Sequence, residues 1–319
     1  MRKTNLAMLL LLLLGFAAST ANAAPRRPVH LPLLSSGTTA GPTIAGCPAF
    51  PADNPLNAAI SALPVHTRSA QYIASINAGG DPFLHADFGE NPDYGIPFTI
   101  VAQNQPLVPV NFFDYPDESD AGPYPIPLTA PIEAGGDRHV LALQQGSCVL
   151  YELFNATPTP TGWQASNGAR WDLRSNALRP ARWTSADAAG LPIAPLLARY
   201  DEVAGGTIRH ALRVTVRRTQ RAYILPATHW ASSSSDANLP PMGLRLRLKA
   251  SYDISAVQGQ ARVILEALKQ YGLIVADNGA PWFISGASDA RWVDADLDAL
   301  KRIPGSAFEA VETGPLVTP

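Results

Sequence analysis

Apolar and polar positions alternate most regularly in two late segments. In the first, Ile208, His210, Leu212, Val214 and Val216 share one face, and Arg209, Ala211, Arg213, Thr215 and Arg217 share the other. In the second, Leu244, Leu246 and Leu248 oppose Arg245, Arg247 and Lys249. A period of two with one apolar face predicts half-buried antiparallel strands. Shorter apolar runs predict strands at 96–101, 107–113, 138–143 and 148–154. The last two flank Gln144-Gln145-Gly146-Ser147 and read as a hairpin. Residues 223–227 are expected to pair with the first alternating strand through a turn near Thr219. Residues 273–276 and 282–285 read as short strands around Asp277-Asn278-Gly279.

Helical spacing is rarer. It predicts a short helix over 69–76 and a longer one over 258–271, with Val263, Ile264, Leu265 and Leu268 as its stripe and Gly272 ending it. A last helix is expected over 294–302 with Asp294 as its cap. Residues 163–202 carry Gly, Pro and Asn throughout and are expected to be irregular. No repeat is evident. The pattern predicts a mainly β fold, an antiparallel sandwich or jelly roll with a few peripheral helices.

Composition supports that picture. Thirty prolines and a charged fraction of 16% suit strands and ordered loops better than long helices. The chain opens with the basic residues Arg2 and Lys3, an apolar run over 6–18 and then Ala21-Asn22-Ala23, the order of a secretory signal peptide. The run is short for a membrane span, which needs about 20 residues. Residues 1–23 are therefore expected to be a signal peptide, 24–46 a flexible leader, and 47–319 a single β-rich domain of a secreted or periplasmic protein. Loss of Arg2 and Lys3 leaves 22 basic against 26 acidic residues, a net charge of −4. That balance gives no pull toward nucleic acid. A monomer without a membrane span is expected. In an oxidising compartment the only cysteines, Cys47 and Cys148, are expected to form a disulfide. It would close a loop of roughly 100 residues, worth about 4.7 kcal/mol by chain entropy.

Three runs carry a resemblance: Trp183-Thr184-Ser185-Ala186-Asp187-Ala188-Ala189-Gly190, Arg199-Tyr200-Asp201-Glu202, and Leu246-Arg247-Leu248-Lys249-Ala250-Ser251-Tyr252-Asp253-Ile254-Ser255. They resemble a group of secreted bacterial proteins of no established function, from about Cys47 to Phe308. The resemblance implies one folded unit and carries over no activity.

The sequence holds no G-x-x-x-x-G-K-S/T or G-x-G-x-x-G loop, no G-x-S-x-G elbow and no H-E-x-x-H pair. Candidate chemistry lies elsewhere. Asp187, Asp201 and Glu202 supply carboxylates of the kind glycoside hydrolysis uses in pairs. Trp171 and Trp183 stand just upstream, and His229 beside Trp230 is an auxiliary acid or base. The plain alternative is that Asp187 caps a turn and that Asp201 and Glu202 lie on a solvated face. Arg199, Tyr200, Arg213, Trp230 and Arg247 are the remaining candidate substrate contacts. If the two alternating strands share a sheet, their cations either pair with carboxylates or bind an anionic glycan. His210 reads as a core histidine, and His85 with Asp87 as a pair or a metal site. Asp114, Asp117, Glu118 and Asp120 crowd one loop, where Ca²⁺ or solvent would suit them. No cofactor is otherwise implied.

The expectation is an exported protein acting on extracellular polysaccharide, a glycoside hydrolase or a lyase on acidic glycan. The alternative is a non-catalytic glycan or cell-envelope binding protein.

Overall fold

The computed structural model describes residues 41–319; the expected signal peptide and most of the expected leader lie outside them. The fold opens with a small hairpin, β1 (Thr43–Ile44) and β2 (Cys47–Pro48), which buries Ile44 ahead of Cys47. Helix α1 (Ser69–Asn77) buries Tyr72, Ile73 and Ile76 on one side. Then come β3 (His85–Asp87), β4 (Phe98–Val101) and β5 (Val110–Phe112). The predicted hairpin forms as β6 (Val140–Gln144) and β7 (Val149–Phe154). Next are β8 (Thr157–Thr159), β9 (Gly162–Ala165) and β10 (Asn167–Asp172), followed by the one-turn helix α2 (Tyr200–Ala204). The last third holds β11 (Leu212–Val216), β12 (Arg245–Leu248), α3 (Gly259–Gln270), β13 (Leu273–Asn278), β14 (Phe283–Ser285), α4 (Asp294–Leu297) and β15 (Phe308–Ala310).

Three sheets organise these strands, besides the opening hairpin. The largest has six strands in the order β15-β12-β13-β11-β14-β3, with β11–β13 and β14–β3 parallel. A four-stranded sheet runs β10-β7-β6-β4, and a three-stranded one β5-β9-β8. The fold is mainly β, with mixed and antiparallel sheets and few helices. Strand β6 shows how the sheets layer. Leu141 and Leu143 join the main core with the six-stranded sheet, whereas Val140 and Ala142 join a second core with Trp163 and Ala165 of β9. Both faces are buried, so the strand reads as an apolar run rather than an alternation. Central β13 behaves likewise, with Leu273, Ile274, Val275 and Ala276 all buried.

The disulfide Cys47–Cys148 is present, with Cα atoms 5.5 Å apart. It ties the opening hairpin to the start of β7. Gly272 ends α3 with φ +69°, and a Cβ there would sit 2.2 Å from the Leu246 carbonyl oxygen. Only glycine fits that close approach.

The sequence reading departs from the fold at three places. Strands β9 and β10 lie where irregular chain was expected. Their glycines accommodate neighbours, because a Cβ on Gly168 would fall 2.4 Å from the Phe112 ring. Residues 223–227 form no strand; Tyr223 makes only isolated bridges, to Met242 and Val317. The final helix stops at Leu297 and continues as a tighter 3₁₀ turn to Arg302. Asp294 is not its cap, since its Oδ1 accepts the Glu90 N–H at 2.9 Å.

Candidate functional site

The six-stranded sheet carries one polar row on a single face. Ser285 pairs with Asp87 across β14–β3, and Val214 pairs with Ile284, which puts Arg213 opposite Ser285. A bulge in β11–β13 brings Asp277 opposite Thr215, two residues on from Arg213. Asp277, Arg213, Ser285 and Asp87 thus stand on four successive strands. Arg213 is the hub. Its Nε and Nη2 donate to Asp187 at 3.0 and 2.8 Å, Nη1 donates to Ser285 Oγ at 2.6 Å, and Asp277 Oδ2 lies 3.9 Å from Nη2. Such a bidentate pair suits a planar guanidinium in a buried place. Burial alone would lower the Arg213 pKa, but the charge and hydrogen bonds of Asp187, with the charges of Asp277 and Glu133, together outweigh it and the net shift is upward.

A second pair closes the site from the four-stranded sheet. His139 precedes β6. Its Nδ1 is hydrogen-bonded to Glu133, and its Nε2 donates to the Ala186 carbonyl at 3.0 Å. Burial would lower the His139 pKa, yet Glu133 raises it. Burial would raise Glu133, yet the bond and charge of His139 lower it. Both shifts favour the charged pair, imidazolium and carboxylate.

The remaining carboxyls are pushed the other way. Asp277 rises to about 7, first from burial and then from the Asp187 charge, against Arg213. Its side chain keeps 26% exposure, so a ligand can reach it. Asp87 opens to solvent but is flanked by protein. Partial burial raises its pKa, opposed by Arg213 and aided by Glu133 and Asp137. Opposed shifts in neighbouring titratable groups are the mark of sites that move protons.

The sequence-predicted carboxylates do not come together; of the three, only Asp187 belongs to this place. They fall into three separate hydrogen-bonded groups. Asp187 is fully buried beneath Arg213, with its carboxylate taken up by that guanidinium. Glu202 bridges Arg199 at 2.6 Å and His210 at 3.0 Å. Asp201 is 83% exposed and faces Arg291, whose guanidinium also lies over the Tyr200 ring. His229 donates its Nδ1 hydrogen to the Ala188 carbonyl at 2.7 Å.

The tryptophans give no open ring. Trp171 is buried, donates to Glu152 and lies under Arg179, which also stacks on Trp183. Trp230 stacks on Tyr223 and meets Arg182 and Arg221.

Arg213, Arg245, Arg247 and Lys249 of the basic stripe are also spent internally, although β11 and β12 do share a sheet. Arg247 pairs with Glu309 and bonds three carbonyls, and Lys249 bonds the Ser306 carbonyl. Arg245 donates to the Pro55 and Tyr271 carbonyls, and burial pushes it down to about 10. In the acidic loop, Asp114 takes the Ser166 hydroxyl, Glu118 takes the Thr184 N–H, and Asp120 pairs with Arg179. Among the described residues no three His, Cys, Asp or Glu side chains come together as metal ligands.

No family model matches this chain, and no curated protein or solved structure does. The site therefore rests on its own geometry. Asp277, Glu133, His139 and Ser285 were not singled out from sequence, and Asp87 was noted only beside His85. Asp277 was hidden inside what read as a turn, Asp277-Asn278-Gly279. That apolar strand ending in a carboxylate was the available signal.

Proposed function

We propose that this chain is an exported glycan hydrolase whose proton donor is Asp277. The observation that carries the reading is the Asp277 carboxyl, reachable from solvent yet held up to about 7 beside a neutralised Arg213–Asp187 pair. An acid with that pKa is half protonated at neutral pH, which general-acid catalysis of glycoside cleavage requires. The opening of the sequence, the disulfide and the absence of a membrane-crossing helix among the described residues support an exported setting. At this site Arg213 and His139 already hold carboxylates, so neither is left to neutralise a uronate. Hydrolysis of a neutral glycan is favoured over lyase chemistry for that reason.

Incubation with a panel of neutral and acidic polysaccharides tests the proposal. New reducing ends without unsaturated products are expected. Asp277→Asn should abolish them while leaving binding in place, and wild-type activity should fall as pH rises through about 7 because the acid loses its proton. Full activity in Asp277→Asn would overturn the assignment.

One observation favours a second reading, glycan binding without turnover. An open cleft of about 240 Å³ lies away from the row, lined by Phe50, Arg170, Asp172, Ser175 and Leu178 among others. Binding that survives Asp277→Asn, disappears with Arg170→Ala and yields no product would support it.

A further inference from the structure

Three chain segments meet at the half-buried indole of Trp230. Tyr223 stacks on the ring with centroids 5.7 Å apart. The Arg182 guanidinium stands 5.9 Å from the ring centroid and that of Arg221 stands 5.8 Å from it. Both arginines are exposed. Their backbones are fixed. Arg182 N–H donates to the Thr228 carbonyl at 2.7 Å, Arg221 N–H to the Ser234 carbonyl at 2.7 Å, and His229 N–H, next to Trp230, to the Ala189 carbonyl at 3.1 Å. Arg182 takes φ +72°, a left-handed conformation in which glycine is at ease and a long side chain is not. The chain thus keeps an arginine where its backbone favours glycine.

This place has donors and no acceptor. Among the described residues neither guanidinium makes a hydrogen bond or an ion pair, and the Trp230 indole N–H has no partner and is open to solvent. Asp236 is the acid of the loop that Arg221 touches, and its Oδ1 is taken by the Asn238 N–H at 2.9 Å. Attraction to a ring face leaves the N–H groups of a guanidinium unspent. Two cations beside one ring repel each other, and an oxyanion between them relieves the repulsion. The planar guanidinium fork fits carboxylate, sulfate or phosphate oxygens two at a time, and the indole N–H adds another donor.

We propose that Arg182, Arg221 and Trp230 form an anchoring site for the oxyanions of an acidic polysaccharide. No member of the Arg213 row takes part in it. Arg217 and Arg218, a few residues away, are exposed and make no hydrogen bond or ion pair among the described residues. They lengthen the basic surface, which suits a polymer better than a single ion. The choice of a glycan over an anionic membrane rests on the hydrolase reading above. The acidic groups held here lie outside the bond that Asp277 cleaves, so a neutral stretch at the row and an acidic one at the anchor are compatible.

Retention of the full chain on immobilised polymers tests this without any activity. The sequence carries a net charge of −2, so attraction to a polyanion has to come from a local surface. Wild-type protein should be held on dextran sulfate or polygalacturonate, pass through neutral dextran, and be released by salt, which screens exposed charges. Retention on one of the two acidic polymers alone identifies sulfate or carboxylate as the group bound. Arg182→Gly combined with Arg221→Ala should weaken binding by about tenfold or more, because hydrogen bonds to charged groups are lost. Arg68→Ala combined with Arg302→Ala removes the same charge from two exposed arginines elsewhere and should leave binding unchanged. Equal loss in both double variants, or unchanged binding in the first, would overturn the proposal. So would retention by phosphatidylglycerol vesicles and by neither acidic polymer, which would point to a membrane surface. If the first double variant does not fold, the wild-type Trp230 indole N–H resonance, assigned with Trp230→Phe, decides. It should shift on adding galacturonate or sulfated dextran oligomers, and a signal unmoved by both would overturn the anchor. A chain that is held but cleaves no glycan counts only against the hydrolase reading, and one that cleaves but is not held counts only against the anchor.

Discussion

Replacing Asp187 by asparagine should separate its structural from its chemical influence. In the wild type its two oxygens take two Arg213 N–H bonds and the Ala188 N–H at 3.1 Å. Asparagine keeps one carbonyl acceptor, turns the other contact into N–H against N–H, and leaves a buried guanidinium without its counter-charge. Breaking a buried pair from one side costs about 3–5 kcal/mol. Asp277, 3.9 Å from the same guanidinium, becomes the substitute partner and recovers part of that loss. A net cost of about 2–4 kcal/mol follows, or roughly 3–7 °C in Tm for a chain of this size. A second effect runs through Asp277. The Asp187 charge is among the causes that hold it near 7. With that charge removed and Arg213 freed, the Asp277 pKa should fall, though burial keeps it above the ordinary carboxylate range. Urea unfolding at fixed pH reads the first effect. Carbon-detected NMR titration of the aspartate carboxyls reads the second, and a hydrolase would show its alkaline limb moving to lower pH. An unchanged Tm together with an unmoved Asp277 titration would refute the hub role given to Arg213–Asp187.

Two other outcomes are expected. Converting Cys47 and Cys148 to serine together opens a loop of 101 residues and should cost about 2–5 kcal/mol, read as a lower urea midpoint. The Glu133–His139 pair should stabilise most between pH 4.5 and 6.5. Glu133, lowered by folding, adds stability above 4.5 that is lost as pH falls through its folded value. His139, raised by folding, adds stability below 6.5 that is lost as pH rises through its folded value. The penalty for His139→Ala, measured by thermal melts, should therefore be larger at pH 6 than at pH 9.

Much of the fold was legible where the information is local. Helix α3 and its glycine stop follow from a stripe over one dozen residues, and the β6–β7 hairpin from two apolar runs around a short polar turn. The disulfide followed from compartment and number alone. Alternation also sorted the faces of β11 and β12 correctly. It did not reveal that the arginine face is covered too, because the cover comes from Pro55, Ile60 and Glu309, far away in the chain. Gly162 and Gly168 looked like breakers of regular structure. They are strand residues whose missing Cβ admits Pro109 and Phe112. The site was the least legible part. Asp87 and Asp277 are separated by most of the domain, and only the strand order β13-β11-β14-β3 sets them in one row. Asp187 had the look of a catalytic carboxylate because sequence shows its charge and not the guanidinium that consumes it.

The Cys47–Cys148 link also decides how damage is tolerated. It spans α1, β3, β4, β5 and β6, together with the proline-rich loops between them. A protease that nicks any of those exposed loops severs the backbone but releases no fragment, because both ends stay covalently joined through sulfur. In an environment rich in peptidases the chain can be cut there and remain one molecule, shedding its pieces only when a reductant arrives.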